Sequence, residues 1–155
     1  MKRVDYEIRP ARPADADDMH RVHTASVRAL CAAAYGPAII DEWLRGRSAA
    51  GYMSGISTGM SAVAESRARV IGFCEAVPGE VLGVFVIPEC AGHGVGSALL
   101  RHAVALAGGP GSPVKLEATL NAVGFYERLG FRAVRRAVVQ RNDTEIPVVV
   151  MEGAS

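Results

Sequence analysis

The chain has 155 residues, half of them hydrophobic, and a formal net charge of +1 at pH 7. That length suits one domain over residues 1–155 with a real core, and the near-neutral charge offers no attraction to nucleic acid or to an anionic membrane. Three widely spaced cysteines, Cys31, Cys74 and Cys90, fit reduced thiols better than a disulfide framework or a metal site, and no apolar run suits a leader or a bilayer span. A soluble cytoplasmic protein is the expectation.

Val4 to Arg9 alternates apolar and polar residues and stops at Pro10, the pattern of a half-buried strand. Pro13 opens a helix with Asp15, Asp17 and Asp18 near the positive end of its dipole. Met19, Val22, Ser26 and Leu30 recur at helical spacing and predict a helix to about Ala34, ended by Gly36 and Pro37. Ile39 to Leu44 and Ala50 to Ile56 read as a broken second helical region containing Trp43. Met60 to Glu65, Val70 to Val77 and Val81 to Ile87 are β-rich runs with short links, so they are expected as antiparallel neighbours. A helix with Val95, Leu99, Ala103 and Leu106 on one side then runs to Gly108, Gly109 and Pro110. Val114 to Thr119 reads as a strand and Asn121 to Leu129 as a short helix closed by Gly130. Phe131 to Gln140 and Ile146 to Met151 read as strands joined at Asn142 and Asp143. The order β, α-rich, βββ, α, β, α, ββ predicts an α/β chain without internal repeats.

Between the third apolar run of the meander and the long helix lies the most informative stretch, VIPECAGHGVGSALL at Val86 to Leu100. Glycine at alternate positions permits close backbone approach, and the first N–H groups of a helix have no internal partner, so such a turn holds an anion. A P-loop is excluded because Gly96 is followed by Ser97 and Ala98, not by Lys and Ser or Thr. A dinucleotide fingerprint is excluded by the G-x-G-x-G spacing and by the antiparallel meander that precedes it.

The stretch P-E-C-A-G-H-G-V-G-S-A-L-L resembles the acyl-CoA binding signature of the GNAT superfamily of N-acetyltransferases, and N-A-V-G-F-Y-E-R-L-G-F at Asn121 to Phe131 resembles its second signature. His23 to Tyr52 and Leu116 to Leu120 are more loosely similar to the YafP-like branch. The resemblance implies the GNAT fold, a mixed, mostly antiparallel sheet with helices on both faces, and acetyl transfer from acetyl-CoA to a primary amine of a small molecule or peptide in a ternary complex. No metal is implied, and a homodimer is left open. One departure is Ala91, where the family usually carries Gln or Arg; the backbone N–H that binds pyrophosphate is kept.

The resemblance also implies roles. The backbone from Ala91 and Gly92 through His93, Gly94, Val95 and Gly96 to Ser97 would anchor pyrophosphate. Phe85 and Val86 would pair with the pantetheine arm where the fourth and fifth strands splay apart, a backbone N–H there would polarise the thioester carbonyl, and Asn121 would bond the arm from the other side. Tyr126 is the candidate acid for the leaving thiolate, a phenol with pKa near 10 facing a thiol near 8.5. Glu80, opening the fourth strand, is the candidate base, alone because relatives of the YafP-like kind carry a second acid where this chain has Leu82; Glu75 on the adjacent strand is its rival. His23, Tyr35, Trp43 and Tyr52 are candidates for the border of an acceptor pocket, whereas Arg132, Arg135, Arg136 and Arg141 read as a solvated strand face. Ala91 and Leu82 together motivate an alternative, an acyl-CoA binding or sensing module without turnover.

Overall fold

The computed structural model describes residues 3–109 and 111–154. Its seven strands form one sheet in the order β1-β2-β3-β4-β5-β7-β6. β1 (Glu7–Pro10), β2 (Ser61–Ser66), β3 (Arg69–Val77) and β4 (Glu80–Val86) pair antiparallel in succession. β5 (Pro113–Thr119) lies parallel to β4, while β6 (Arg132–Arg141) and β7 (Thr144–Ala154) pair antiparallel with each other, and β7 with β5. The sheet is therefore mixed and mostly antiparallel, with the meander where the apolar runs place it.

Helices cover both faces, which is why β2 and β3 are apolar in consecutive positions instead of alternating. α1 (Ala16–Leu30), α2 (Ala32–Leu44) and the short α3 (Met53–Ser57) lie on one side. There His23 of α1 meets the rings of Phe73 and Phe85, and α2 packs on β7. α4 (Val95–Ala107) lies on the other side, so close to β3 that a Cβ at Gly72 would stand 2.9 Å from Leu99. α5 (Val123–Arg128) brings Phe125 against Gly96 of α4. One core cluster fills the space around Phe73, Leu99 and Met151; a second, of Val27, Cys31, Tyr35, Ile40, Trp43, Ile146 and Val148, lies between the α1–α2 corner and β7.

Several boundaries differ from the sequence pattern. β1 begins at Glu7 and not at Val4, because its pairing with β2 starts at Glu7 opposite Glu65. α1 ends at Leu30 and not near Ala34: the chain turns at Cys31, and α2 follows at once. Gly36 (φ 76°, ψ 164°) breaks α2 as expected, but Pro37 starts the next helical stretch instead of ending one. Its fixed φ and missing N–H suit a first helical position. α4 stops at Ala107 before Gly108, and Pro110 lies outside the described residues.

Asp15 closes the short turn that leads into α1 and is buried. Its carboxylate accepts from the Arg9 guanidinium at 2.8 and 2.9 Å and from the Arg12 backbone N–H at 2.7 Å, while Arg9 also bonds Glu65 at 2.7 Å. The hydrogen bonds from Arg9, joined by that of Arg12, hold the Asp15 carboxyl below its ordinary value of 3.8. A depressed carboxyl stabilises the fold above its unfolded pKa and loses that contribution as pH falls through the folded value. Arg9→Met leaves the buried carboxylate unpaired and is expected to cost about 3 kcal/mol at pH 7 in urea unfolding. A cost near zero would show that the pair holds nothing together.

Candidate active site

β4 and β5 pair at two positions only, Glu80 with Lys115 and Val81 with Leu116, and then part. The parting coincides with a bulge in β4: Val81 faces Ala76 and Gly83 faces Glu75, so Leu82 is the extra residue. Beyond it, the N–H of Ile87 donates to the carbonyl of Ile71 at 2.9 Å. Antiparallel bonding alternates, so Phe85 and Gly83 also turn their backbone groups to β3, and those of Val84 and Val86 face the gap toward β5. The close approach of the Phe85 carbonyl oxygen to Gly72, 2.9 Å from a Cβ built there, agrees with that orientation.

The glycine turn lies at the mouth of this gap. Gly92 (φ 80°) and Gly94 (φ 85°) adopt left-handed conformations that a side chain disfavours, and Gly94 caps α4. The N–H of Ala98 is the first spent inside the helix, on the Gly94 carbonyl at 3.1 Å. Those of Val95, Gly96 and Ser97 precede the helical ladder and are available to an anion, with the dipole behind them. Gly96 serves packing as well, because a Cβ there would lie 3.4 Å from the ring of Phe125.

A cavity of about 850 Å³ passes through the gap from the glycine turn to the α1–α2 side of the sheet. Of the residues singled out in the sequence, it brings together Phe85, Val86, Ala91, Gly92, Gly94, Gly96, Ser97, Asn121 and Tyr126. His93 is not in its wall, and the Val95 side chain is buried in the core, so Val95 offers backbone alone. Tyr126 is buried on α5; desolvation, with the neighbouring Cys31 thiol adding to it, pushes its phenol up to about 12. Asn121 and Thr119 hydrogen-bond that thiol from the end of β5.

Glu80 and Glu75 part company here. Glu80 sits at the turn end of the β3–β4 hairpin opposite Val77, 3.8 Å from Lys115, and is not in the cavity wall. Glu75, opposite Gly83 beyond the bulge, is in it. Its Oε2 would lie 3.0 Å from a Cβ on Gly55, so the missing side chain on α3 makes room for the carboxyl. Burial pushes Glu75 up to about 7, against the opposing pull of the Arg47 guanidinium.

On the α1–α2 side, His23 and Trp43 of the four residues read as an acceptor border line the cavity, Tyr35 and Tyr52 stand behind the wall, and Arg47, which the sequence pattern did not single out, joins them with Arg141. His23 places Nδ1 2.8 Å from the Tyr52 hydroxyl and stacks on Phe85 at 4.0 Å between ring centres, while its buried Nε2 has no hydrogen-bond partner. Desolvation, assisted by Arg47, lowers its pKa to about 3, so the ring is neutral. Arg47 and Arg141 both donate Nε to the carbonyl of Trp43, at 3.0 and 3.1 Å. Tyr35 donates to the Pro147 carbonyl at 2.6 Å and accepts from the Leu120 N–H at 2.9 Å, tying α2 to β7 and to the end of β5. Arg141 shares a face of β6 with Ala137 and Val139, which pack on the second core cluster.

A splayed parallel pair with a glycine turn at its mouth is the architecture of an acyltransferase fold. The crystal structure of a GCN5-related N-acetyltransferase from Rhodopseudomonas palustris superposes with a TM-score of 0.90 at 24% identity, covering 100% of this chain and 99% of that one. PaiA N-acetyltransferase from Thermoplasma acidophilum, solved in complex with coenzyme A, superposes with 0.76 at 22% identity over 97% and 99%. Residues 57–133 match the family model of the acetyltransferase (GNAT) domain. The chain is 25% identical over 136 residues to the uncharacterized N-acetyltransferase YafP of Escherichia coli, covering 88% of this chain and 87% of YafP. It is 35% identical over 69 residues to the peptidyl-lysine N-acetyltransferase YjaB of Salmonella typhimurium; that match spans 44% of this chain and about half, 47%, of YjaB. Residues 57–133 are thus a GNAT acetyltransferase domain by the family model, and the chain shares its fold with the solved GNAT structures. No helix among the described residues is long and apolar enough to cross a membrane.

Proposed function

We propose that this protein transfers an acetyl group from acetyl-CoA to the amine of a small molecule or peptide, with donor and acceptor held in one complex. The observation that carries this reading is the continuity of the cavity, which joins unspent helix N–H groups on one side of the sheet to a carboxyl titrating near pH 7 on the other. The residues fit the donor. Gly92 to Ser97 present backbone N–H groups to a pyrophosphate, and the unpaired edge of β4 offers amide-pairing groups to an extended arm. Three free cysteines, two of them buried, accord with a cytoplasmic protein.

When bound, acetyl-CoA supplies an activated thioester. The N–H groups of Val84 and Val86, facing the gap, are placed to donate to a carbonyl oxygen there. Glu75 accepts the proton that the ammonium of the acceptor must lose before it becomes a nucleophile. Tyr126 keeps its proton and donates a hydrogen bond to the departing sulfur. Asn121 faces the gap from the opposite wall. Glu75 and Tyr126 in one cavity favour turnover over a purely sensing role, because a sensor needs neither.

Acetyl-CoA is expected to raise the melting temperature, with a ligand at 100-fold over its dissociation constant adding about 2.7 kcal/mol. Free thiol is expected on addition of an accepted amine. A melting curve unmoved by saturating acetyl-CoA would overturn the reading at its first step.

A further inference from the structure

Two guanidiniums on the acceptor side of the cavity form no ion pair with a described residue. Arg47 follows α2 and Arg141 ends β6, and both spend Nε on the same acceptor, the carbonyl of Trp43 in the last turn of α2. That carbonyl is one of those a helix end leaves unpaired, and the negative end of the dipole accepts cations there. Neither arginine has a carboxylate within ion-pairing distance among the described residues, although both line the cavity and both are half-buried. Elsewhere in the fold Arg9, Arg28 and Arg45 are each paired with a carboxylate.

Two like charges brought together in a partly dry pocket repel, and Arg141 lowers the pKa of Arg47 after desolvation has done so. The nearest groups relieve Arg47 only in part: Tyr52 accepts a hydrogen bond from it and Glu75 attracts it through space, but neither forms an ion pair with it. Tyr52 is neutral, and Glu75 titrates near pH 7 inside the same pocket. His23 is also neutral. Where Arg47 and Arg141 stand together the wall is positive, and an ammonium group is disfavoured there. An anion on the acceptor removes the conflict, and a planar guanidinium that is not yet ion-paired is the natural partner of a carboxylate. The rest of the wall is mostly apolar, with Val27, Leu30, Trp43, Val139, Ile146 and Val148, and its other carboxylate is Glu117 of β5, which forms no ion pair with either arginine.

We propose that the acceptor is an aminocarboxylate with an apolar substituent, its carboxylate held by Arg47 and Arg141 and its amine turned to Glu75. This rests on the acetyl-transfer reading and names the substrate class of that site. In the reaction the ammonium gives one proton to Glu75, the amine nitrogen bonds to the acetyl carbon as the carbon–sulfur bond breaks, the sulfur leaves as a thiolate hydrogen-bonded by Tyr126, and the second proton shed by the nitrogen is taken up by that thiolate through solvent, giving the amide and the free thiol. The carboxylate is unchanged and acts only in binding.

The test uses matched sets: leucine, phenylalanine and methionine, their carboxamides, and the amines that lack the carboxyl altogether. Thiol release is expected to favour the acids by about 10²-fold in kcat/KM, since a site built for a charged partner rejects the analogue that lacks it. Arg47→Gln and Arg141→Gln are expected to collapse the ratio of acid to amide, mainly through KM, and Arg47→Lys, which keeps the charge, to restore much of it. Melting curves of the variants show that the fold is intact. Equal or better turnover of the amides or amines, or of a lysine peptide, would overturn the proposal while leaving acetyl transfer standing. If no member of the panel releases thiol, calorimetric titration of the acids and amides into the CoA-saturated protein decides the matter: binding that needs both the carboxylate and the arginines supports the proposal, and its absence at millimolar concentration overturns it. Failure of acetyl-CoA to shift the melting curve is a separate result and strikes the acetyl-transfer reading.

Discussion

Glu75→Gln is expected to lower kcat/KM for any accepted amine by about 10²–10⁴-fold, the usual worth of a positioned general base. The same change at Glu80 is expected to leave the rate near wild type, because Glu80 stands outside the cavity beside Lys115. The pH dependence separates a base from a merely structural carboxyl. A base must be ionised, and Glu75 has its carboxyl raised by burial to about 7, so activity should rise as pH passes through that value. Glu75→Gln removes that limb. A variant that keeps both the rate and the limb would dismiss Glu75 and return the question to a water chain or to Glu80.

The same carboxyl predicts a stability effect of opposite sign. Its folded pKa, about 7, exceeds the ordinary value of 4.5, so between those pH values the folded protein binds more protons than the unfolded chain. Stability therefore falls as pH rises through that window, by an amount on the order of 3 kcal/mol at most, and the deficit persists above it. Gln carries no charge to desolvate, so the variant should be more stable than wild type at pH 8 and gain nothing at pH 4.5 in urea unfolding. A residue that destabilises the fold while accelerating a reaction is placed for its chemistry.

How far the sequence could be read depended on which interaction decided each element. The apolar runs of β2 and β3 were legible because both of their faces are covered, and the glycine turn because left-handed backbone at Gly92 and Gly94 leaves a mark in composition. Glu75 was readable only as a rival of Glu80. Strict alternation along β4 carries no sign of the extra residue at Leu82, and that bulge ends the pairing between β4 and β5 just after Val81. Arg141 was read as solvated because arginines cluster along β6, although Arg132 does pair at the surface with Glu152 at 3.5 Å. What turns Arg141 inward is a carbonyl in α2, 98 residues away in sequence, and local pattern does not contain it. The break between α1 and α2 is similar: helical spacing continues through Cys31, but the second core cluster draws Val27, Cys31 and Tyr35 onto β7 and sets where the chain bends.

Tyr126→Phe is expected to lower kcat by about 10- to 10²-fold with little change in KM or in melting temperature. The phenol makes no hydrogen bond to another described residue and borders the cavity, so its loss strands no partner. Burial raises it to about 12, so it stays protonated throughout the useful pH range and contributes no alkaline limb. Full transfer of its proton to a thiolate whose conjugate acid lies near 8.5 is uphill by about 5 kcal/mol. On the proposed reading Tyr126 donates a hydrogen bond to the developing negative sulfur, and a bond to a charged group is worth about 1.5–3 kcal/mol, which sets the size of the effect. This account makes a further demand. The help Tyr126 gives scales with the charge left on sulfur, so acetyl thioesters of more acidic thiols should lose less from Tyr126→Phe than acetyl-CoA does. A defect of the same size with every leaving group would mean that Tyr126 shapes the cavity and does not serve the sulfur.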